Sequence, residues 1–415
     1  MPPEVFFPCV QEMLSRGLEH RCLVMLDIEH FKLFNKWYGR STGDRLIEAV
    51  AAALTDTPDT VVCYFGQDDF CLLMPQDEDA IQALYERLHL IVAEKSVVFG
   101  FLPAMGVCPA GPGDDILDVF DKATLAMQTV KGNYRSRIRF FSPSMMQNTE
   151  DEYRLLLDFQ EGLEKNELYF ELQPQCDIST RQVVGAEALA RWHSTEGRLI
   201  PPVQFIPTLE KYGLITDLDL CIWEKVCRWL RSWIDAGHQP VPISVNVSKI
   251  DIALIDIPAH FENLITKYRL PVNALKIEIT ESSYADSTDE IQKAVQRLRA
   301  LGFTVLMDDF GSGYSSLNML CSLNFDVIKI DARFLRFDSA DSKRGLQILE
   351  AVISMTRDMN LPIIVEGVET AEQAEFLSGL GCRYVQGFLL YCPMPVEKFE
   401  ELFAVENKID YSGFA

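Results

Sequence analysis

Short apolar stretches, each with a polar side chain at or near its end, recur through the second half of the chain. Such stretches predict buried β-strands, because runs of aliphatic residues alternate with turn-forming segments. The polar residues at these positions are Gln173, Glu187, Asn246, Glu278, Asp308, Lys329, Glu366 and Gln386. A carboxylate directly after a buried strand is costly to desolvate unless a cation or a reacting ligand lies beside it. Around the mouth of a barrel, such positions would converge on one site.

The first third of the chain has a different pattern, in which strand-like and helix-like segments alternate. Strands are predicted at 22–28, 61–65, 70–74, 97–107 and 137–141, and helices at 42–54, 79–94 and 116–130. This pattern predicts a separate mixed α/β domain that ends near residues 142–148. The acidic segment after it predicts a helix that opens the second domain.

Composition narrows the possible partners. Lys and Arg total 38 against 61 Asp and Glu, a net charge of −23, which argues against DNA or RNA binding through a basic surface. No apolar run approaches the length of a membrane span, and the N-terminus lacks a basic stretch followed by an apolar one. Eleven cysteines without a CxxC pair predict reduced thiols in a cytoplasmic protein.

The acids at the strand ends admit two explanations. Any one of them is simply explained as a helix N-cap, but six acids or amides in one domain favour a metal site. The ligand set contains no His or Cys, which selects Mg²⁺ or Mn²⁺ over zinc. Two such ions ~3.5–4 Å apart form the clamp used for phosphodiester hydrolysis. Asp308 and Asp309 are adjacent, so each serves a different ion or one of them bridges both.

Residues from about 150 to 402 resemble an EAL domain, the family of cyclic di-GMP phosphodiesterases. The stretches that carry the resemblance are Gln173–Pro174, EALAR at 187–191, VNVS at 245–248, EITES at 278–282, DDFGSGYSSL at 308–317, IKID at 328–331, VEGVET at 365–370 and QGF at 386–388. The resemblance implies a TIM-type (β/α)8 barrel that hydrolyses cyclic di-GMP to linear pGpG. It also implies a homodimer formed through this domain, by the region after the DDFG stretch.

The resemblance assigns roles residue by residue. The implied ligands of two ions are Glu187, Asn246, Glu278, Asp308, Asp309 and Glu366. Lys329 is implied to orient or deprotonate the attacking water, which places it with Glu187 and Glu366 in the catalytic set; a salt bridge to Asp331 is the alternative. The implied substrate contacts are Gln173, Leu189, Arg191, Asp331, Glu369 and Gln386, and Glu281 is implied to steady the loop that begins at 308. No ligand is replaced, which favours an enzyme over a receptor that binds cyclic di-GMP or a protein without turnover.

The stretch LDIEHFKLFNKWYGRSTGD at 26–44 resembles the opening of a GGDEF domain, the family of diguanylate cyclases, with its α+β cyclase-like fold. The signature itself is altered, because Gly66-Gln67-Asp68-Asp69-Phe70 stands in its place. Gln67 adds a side chain where a second glycine normally lets the backbone approach the phosphates of GTP. We therefore interpret the domain as degenerate and expect no cyclase turnover.

Part of the nucleotide site is nevertheless preserved in this domain. The residues that match metal or guanine positions of the family are Asp27, Phe31, Asn35, Asp44 and Asp68. Asp27 with Asp68 can hold one magnesium ion, whereas helix or turn capping is the alternative for Asn35 and Asp44. Two interpretations of this domain remain open. Either it binds GTP and regulates the barrel, or it is a purely structural relic. The chain also begins without the family's usual DxLT segment, which leads us to expect a sensor upstream.

These arguments divide the chain into four parts. Residues 1–142 form the degenerate GGDEF domain, and 143–165 form the connecting segment with the first helix. Residues 166–405 form the EAL barrel, and 406–415 form a C-terminal tail.

Overall fold

The structure is a computed structural model that describes residues 1–96, 100–134, 136–285, 289–311, 325–331 and 342–405. The chain divides into two compact units, Met1–Arg154 and Leu155–Ala415. The division falls inside one 22-residue helix, α6, which spans Pro143–Glu164. No helix within the described part is both long and apolar enough to cross a membrane.

The first unit is built on a five-stranded sheet with the order β2-β3-β1-β4-β5. The strands are β1 Arg21–Ile28, β2 Val61–Gly66, β3 Asp69–Pro75, β4 Pro103–Ala110 and β5 Ile138–Phe140. The helices are α1 Pro3–Ser15, α2 Phe31–Tyr38, α3 Arg40–Thr55, α4 Glu78–Lys95 and α5 Ile116–Gln128. Alternate residues of β1 belong to two separate apolar cores, with Val24 in one and Leu23 in the other. The sheet is therefore covered on both faces.

Two features of this unit differ from the sequence prediction. Helix α1 was not predicted; it begins with Pro3 in its first turn and buries Phe6, Val10 and Leu14, which share one helical face at a spacing of four. Strand β4 begins at Pro103, later than the predicted residue 97, and residues 97–99 lie outside the described part.

The second unit is a closed barrel of eight strands, as predicted. Its strands are β6 Leu168–Asp177, β7 Val183–His193, β9 Ile243–Asn246, β10 Leu275–Thr280, β11 Thr304–Phe310, β12 Val327–Ile330, β13 Ile363–Val365 and β14 Tyr384–Gln386, and the short β8 Leu199–Ile200 pairs with β7 outside the barrel. Pairing of β6 with β7 closes the ring.

One barrel strand departs from the all-parallel arrangement of a TIM barrel. Strand β6 runs antiparallel to both of its neighbours, β7 and β14, whereas the other barrel pairings are parallel. Gln173 therefore lies in the middle of its strand, directly opposite Glu187 on β7. The prediction that Gln173 ends a strand was wrong, although the residue still faces the others.

Helices surround the barrel. They are α7 Pro202–Tyr212, α8 Ile215–Asp235, α9 Lys249–Leu254, α10 Ile257–Tyr268, α11 Glu281–Ala285, α12 Asp289–Ala300, α13 Ser342–Asp358, α14 Ala371–Gly379 and α15 Val396–Val405, with a 3-10 turn at Val272–Ala274. One large apolar core joins these helices to the outward faces of the strands. Residues 312–324, which include most of the DDFGSGYSSL stretch and the region expected to form the dimer contact, lie outside the described residues.

A smaller apolar cluster forms a layer inside the barrel. Its members are Val184, Leu306, Val327, Ile364 and Tyr384. Side chains two positions apart on a strand share a face. Each cluster member except Val184 is followed two positions later by a polar residue, which therefore lies on the same side of the strand. Those polar residues are Asp308, Lys329, Glu366 and Gln386. The candidate site therefore rests on an apolar floor.

Candidate metal centre and catalytic site

Lys329 lies at the centre of the polar layer, on β12, and is only 1% exposed. Its Nζ atom lies 2.9 Å from Glu187 Oε2 and 2.6 Å from Glu278 Oε2. It also lies 3.1 Å from Asp308 Oδ1 and 2.6 Å from Glu366 Oε1. Four carboxylates from four different strands or strand ends thus meet at one ammonium group.

The acids form two groups whose oxygens lie close enough to share an ion. Glu187, Glu278 and Asp308 form one, and Asp308, Asp309 and Glu366 form the other, with ligand atoms within 4.8 Å of one another in each. Asp308 belongs to both groups. The sequence left open whether one of the adjacent aspartates bridges, and the geometry favours Asp308.

The backbone at Asp309 explains how two neighbouring aspartates reach the same place. Successive side chains on a regular strand point to opposite faces, but the pairing of β11 with β12 shifts register between Met307 and Phe310. Asp309 has a φ of 57°, in the left-handed region, and its backbone N–H donates to Asp308 Oδ1 at 2.9 Å. This local distortion turns Asp309 toward Glu366, at a conformational cost of ~1–2 kcal/mol.

A chain of amide side chains supports Glu187. Asn246 Nδ2 donates to Glu187 Oε1 at 3.0 Å, and Gln386 Nε2 donates to Glu187 Oε2 at 2.7 Å. Gln386 Nε2 also donates to Gln173 Oε1 at 3.1 Å, while Gln175 Nε2 donates to Gln386 Oε1 at 3.1 Å. Glu187 is therefore held in one orientation by donors from three other strands.

Burial and neighbouring charges shift the pKa values of this cluster in opposite directions. Burial alone would lower the pKa of Lys329, but the surrounding carboxylates, Asp308 foremost, hold it well above its usual range. Burial and the charge of Glu187 raise the pKa of Glu278 well above its usual range. Burial raises the pKa of Glu366 to about 8 against the opposing charge of Lys329. The surrounding acids thus keep Lys329 in its charged form.

The cluster opens into a cavity of about 260 Å³. Its lining residues are Gln173, Glu187, Leu189, Asp308, Lys329, Glu366, Gly367, Glu369, Gln386, Gly387 and Phe388. Acids and amides form the inner wall, whereas Leu189 and the 60% exposed Phe388 add apolar surface. Gly387 is needed for close packing, because an added Cβ would lie 2.3 Å from the backbone N and O of Val368.

Three predicted residues lie at the edge of this arrangement. Arg191 donates from Nε to Glu171 Oε2 at 2.7 Å, so its guanidinium is already paired with a carboxylate that the sequence did not single out. Glu369 is exposed at the cavity rim. Glu281 is fully buried and its Oε2 accepts from the backbone N–H of Gly311 at 2.5 Å, so it contacts the start of the loop it was predicted to steady.

The helix-capping alternative applies to neighbours of the predicted ligands. Ser248, two residues after Asn246, caps α9 in a capping box with Asp251. Thr370 caps α14 in the same way with Gln373. Asn246 instead donates to Glu187.

Two further buried polar residues escaped the sequence argument. Gln175 is fully buried and lies two positions after Gln173, and Lys276 is 1% exposed and lies two positions before Glu278. Their side chains approach each other over Gly185, since a Cβ there would lie 3.1 Å from Gln175 Oε1 and 3.7 Å from Lys276 Nζ. The sequence could have identified both, because each lies two positions from a predicted site residue and residues at that spacing share one face of a strand. Burial lowers the pKa of Lys276 to about 8.

In the first unit, Asp27 and Asp68 are both buried and lie near each other. Burial, with the charges of Asp27 and Asp69, raises the pKa of Asp68 to about 7. Lys131 Nζ lies 2.7 Å from Asp27 Oδ2 and provides a cation there. Among the described residues, groups of three acids suited to one ion occur only in the barrel.

The structure brings together only some of the residues that were predicted to bind guanine. Neither α2 nor α3 has a side-chain N-cap, so Asn35 and Asp44, which lie within these helices, do not act as N-caps. Asn35 Oδ1 is buried without a hydrogen-bond partner in the described part of the chain, and a Cβ at Gly43 would lie 1.8 Å from it. Phe31 is buried beside them, whereas Asp44 is exposed.

The donor set of the barrel cluster fits divalent metal ions. All the acids offer oxygen ligands, which hard cations such as Mg²⁺ and Mn²⁺ prefer. Glu278 Oε1 is buried without a hydrogen-bond partner among the described residues, and an unpaired buried carboxylate oxygen is costly. A cation beside it would remove that cost.

Comparison with known proteins identifies the family. The profile described as "EAL domain" matches residues 157–393, more than half of the chain. The chain belongs to the EAL-domain family. The profile described as "Diguanylate cyclase, GGDEF domain" matches residues 6–137, so this EAL protein also carries a GGDEF domain.

Three curated relatives align with this chain over more than 90% of its length. The bifunctional diguanylate cyclase/cyclic di-GMP phosphodiesterase MucR of Pseudomonas aeruginosa is 33% identical over 392 residues, covering 91% of this chain and 56% of that protein. The cyclic di-GMP phosphodiesterases NbdA of P. aeruginosa and PdeR of Escherichia coli are 31% and 30% identical, covering 96% and 94% of this chain. The chain spans 52% and 61% of their lengths.

A solved structure also resembles this chain. The structure of the MucR phosphodiesterase in complex with c-di-GMP has a TM-score of 0.56 and 37% sequence identity, covering 59% of this chain and 99% of that one.

Proposed function

We propose that the barrel is a metal-dependent phosphodiesterase that hydrolyses cyclic di-GMP to linear pGpG. The observation that carries the proposal is the cluster of five carboxylates, three buried and two half-buried, with Lys329 beside a cavity. The names of the relatives MucR, NbdA and PdeR support the choice of substrate. We assign Glu187, Asn246, Glu278, Asp308, Asp309 and Glu366 as the residues that would hold two Mg²⁺ or Mn²⁺ ions.

The charge of the site explains why the ions are needed. A phosphodiester is an anion and would be repelled by the acids alone. When bound, divalent ions would reverse the sign of the site and favour loss of a proton from the attacking water. Hydrolysis forms a bond from the water oxygen to phosphorus and breaks the bond from phosphorus to the 3′ oxygen, which leaves with a proton.

The protein side chains orient the reactants. Lys329 is charged and buried beside the acids, so it is suited to donate a hydrogen bond to the water or to a phosphate oxygen. Gln173 and Gln386 line the cavity with fixed amides, and Leu189 and Phe388 offer apolar surface to a guanine base. We assign Glu369, at the cavity rim, together with Arg191 and Asp331 as further substrate contacts.

The competing function is a receptor that binds cyclic di-GMP or a protein without turnover. A direct assay separates the two. The chain is incubated with cyclic di-GMP and either Mg²⁺ or Mn²⁺, and pGpG is followed by chromatography with a parallel binding measurement. We expect pGpG to form and EDTA to stop its formation. Tight binding without product would favour the receptor, and neither binding nor product would contradict both functions.

For the first unit, we propose a regulatory role with GTP as ligand and no cyclase activity. Asn35 supports nucleotide binding, because its buried Oδ1, which packs against Gly43, has no hydrogen-bond partner among the described residues. Gln67 supports the absence of synthesis, since it is an exposed side chain at the altered signature turn. A purely structural unit is the alternative. The relative MucR carries both activities in its name, so synthesis requires a direct test.

A further inference from the structure

The ammonium group of Lys329 contacts side chains from both candidate ion sites. It lies within 2.6–3.1 Å of one oxygen each of Glu187, Glu278, Asp308 and Glu366. The first three of these form one acid group, and Asp308 with Glu366 belongs to the other. Lys329 therefore already occupies a position among the oxygens that divalent ions would use.

The number and length of these contacts resemble the surroundings of a bound cation. An ammonium has three N–H donors, and here four carboxylate oxygens compete for them. A buried ammonium or carboxylate is costly unless it is paired. In the metal-free protein, Lys329 and the four acids thus stabilise each other.

We propose that Lys329 is a built-in competitor of the divalent ions. The proposal rests on the proposed function, in which the same acids bind those ions. A divalent ion holds carboxylate oxygens at short distances of its own, ~2.0–2.1 Å for Mg²⁺. Oxygens drawn toward an ion at that distance cannot all keep their contacts to Lys329 Nζ. Metal binding therefore removes some of the four carboxylate contacts of the Lys329 ammonium. Its N–H donors are then free to bond the water or the phosphate.

The arrangement has a consequence for regulation. The acids are already paired with Lys329, and the ions bind only by replacing these ion pairs. Their apparent affinity is consequently weaker than the five carboxylates alone would provide. Occupancy of the site, and with it activity, then follows the free concentration of the divalent ion.

The test measures metal binding rather than turnover. Mn²⁺ is titrated into the wild type, Lys329→Met and Lys329→Arg, and free Mn²⁺ is followed by electron paramagnetic resonance. Thermal unfolding is recorded for each protein in EDTA and in Mn²⁺. We expect Lys329→Met to bind Mn²⁺ at least roughly tenfold more tightly, since a charge a few ångströms away is removed. Its melting temperature should fall in EDTA and recover in Mn²⁺. Lys329→Arg keeps the charge and should not tighten binding.

Lys276→Met is the matched control, because it removes a second buried ammonium from the same barrel, two residues before Glu278. It reports how far loss of charge alone changes the affinity. The proposal is overturned if Lys329→Met binds Mn²⁺ no more tightly than the wild type, or if Lys276→Met tightens binding equally. It is also overturned if Lys329→Met stays unfolded in saturating Mn²⁺, since ions would then be unable to replace the ammonium. Failure of the wild type to bind Mn²⁺ would instead contradict the proposed function.

Discussion

At the scale of single residues, Asp308 and Asp309 differ although they are neighbours. Asp308 belongs to both acid groups and contacts Lys329, whereas Asp309 belongs to one group only. A carboxylate shared by two ions should matter more than one that serves a single ion. We therefore expect a substitution of Asp308 to reduce activity more than the same substitution of Asp309.

Asp308→Asn is expected to lower the rate of cyclic di-GMP hydrolysis by ~10²–10⁴-fold at saturating Mg²⁺, with a smaller loss for Asp309→Asn. The fold should survive, because the amide keeps the shape of the side chain. Glu187→Ala and Glu366→Ala should also lose most of the activity. Initial rates and circular dichroism provide the measurement, with the exposed Glu262→Gln as control. Near-normal turnover of Asp308→Asn would rule it out as a ligand.

At the scale of elements, the turn between β2 and β3 carries a residue in an unfavourable conformation. Gln67 has a φ of 55° and Gly66 a φ of 110°. A residue with a Cβ is disfavoured there by ~1–2 kcal/mol, although glycine loses ~0.5–1 kcal/mol through the entropy of the unfolded chain. The turn at the altered signature thus contains two residues with positive φ, and only one of them is a glycine.

Gln67→Gly is therefore expected to raise the free energy of unfolding by up to ~1 kcal/mol. Gly66→Ala should lower it, since it introduces a Cβ where φ is positive. Urea denaturation of both variants, followed by circular dichroism, provides the comparison. A destabilised Gln67→Gly would show that the side chain makes a stabilising contact that outweighs its strain.

The contact between α8 and α9 predicts a pH dependence. Burial, and then the charge and hydrogen bond of Asp251, raise the pKa of Asp219 well above its usual range. Asp251 also accepts from Thr216 Oγ1 at 2.6 Å, and Glu210 lies close enough to add to the effect. Lys249 acts on Glu210 in the opposite sense. The folded state therefore retains a proton on Asp219 that the unfolded state releases near its ordinary pKa of ~3.9.

The sign of the effect follows from this retained proton. The stabilisation is complete below the unfolded pKa and is lost as pH rises through the folded pKa. Asp219→Asn cannot ionise and still donates to Asp251, so its stability should fall less as pH rises above the unfolded pKa of ~3.9. Free energies of unfolding across that range check this, with the exposed Asp217→Asn in the same helix as control. Parallel curves for the wild type and Asp219→Asn would contradict it.

At the scale of the whole molecule, the first unit is expected to make no cyclic di-GMP. A Glu187→Ala variant should degrade none, so that any product would accumulate. We expect no cyclic di-GMP after incubation with GTP and Mg²⁺. Accumulation above the level of a sample without protein would overturn the interpretation of Gln67.

GTP is expected to change the hydrolysis rate instead. A ligand of one unit shifts the other only if it prefers one of two arrangements, and α6 is the helix that belongs to both units. A coupling of ~1–3 kcal/mol would change apparent substrate affinity roughly 5–150-fold. Titration of GTP into the hydrolysis assay, with Asp44→Ala as control, measures it. If GTP neither binds nor changes the rate, the first unit is structural.

The amino-acid sequence by itself determined the local features of this protein. Short continuous apolar runs located most of the strands. The residue types at or near the ends of these runs predicted a site with oxygen ligands. The resemblance to EAL and GGDEF domains, carried by contiguous motifs, is supported by the family matches.

Only the tertiary structure decided the features that depend on distant partners. The direction of β6 follows from its pairing with both β7 and β14. The left-handed conformation of Asp309 depends on a register shift against β12. The four carboxylates around Lys329 and the pairing of Arg191 with Glu171 join residues 20 to 142 positions apart. Local periodicity carries no information on strand direction, register or such contacts, because they are set by closure of the barrel.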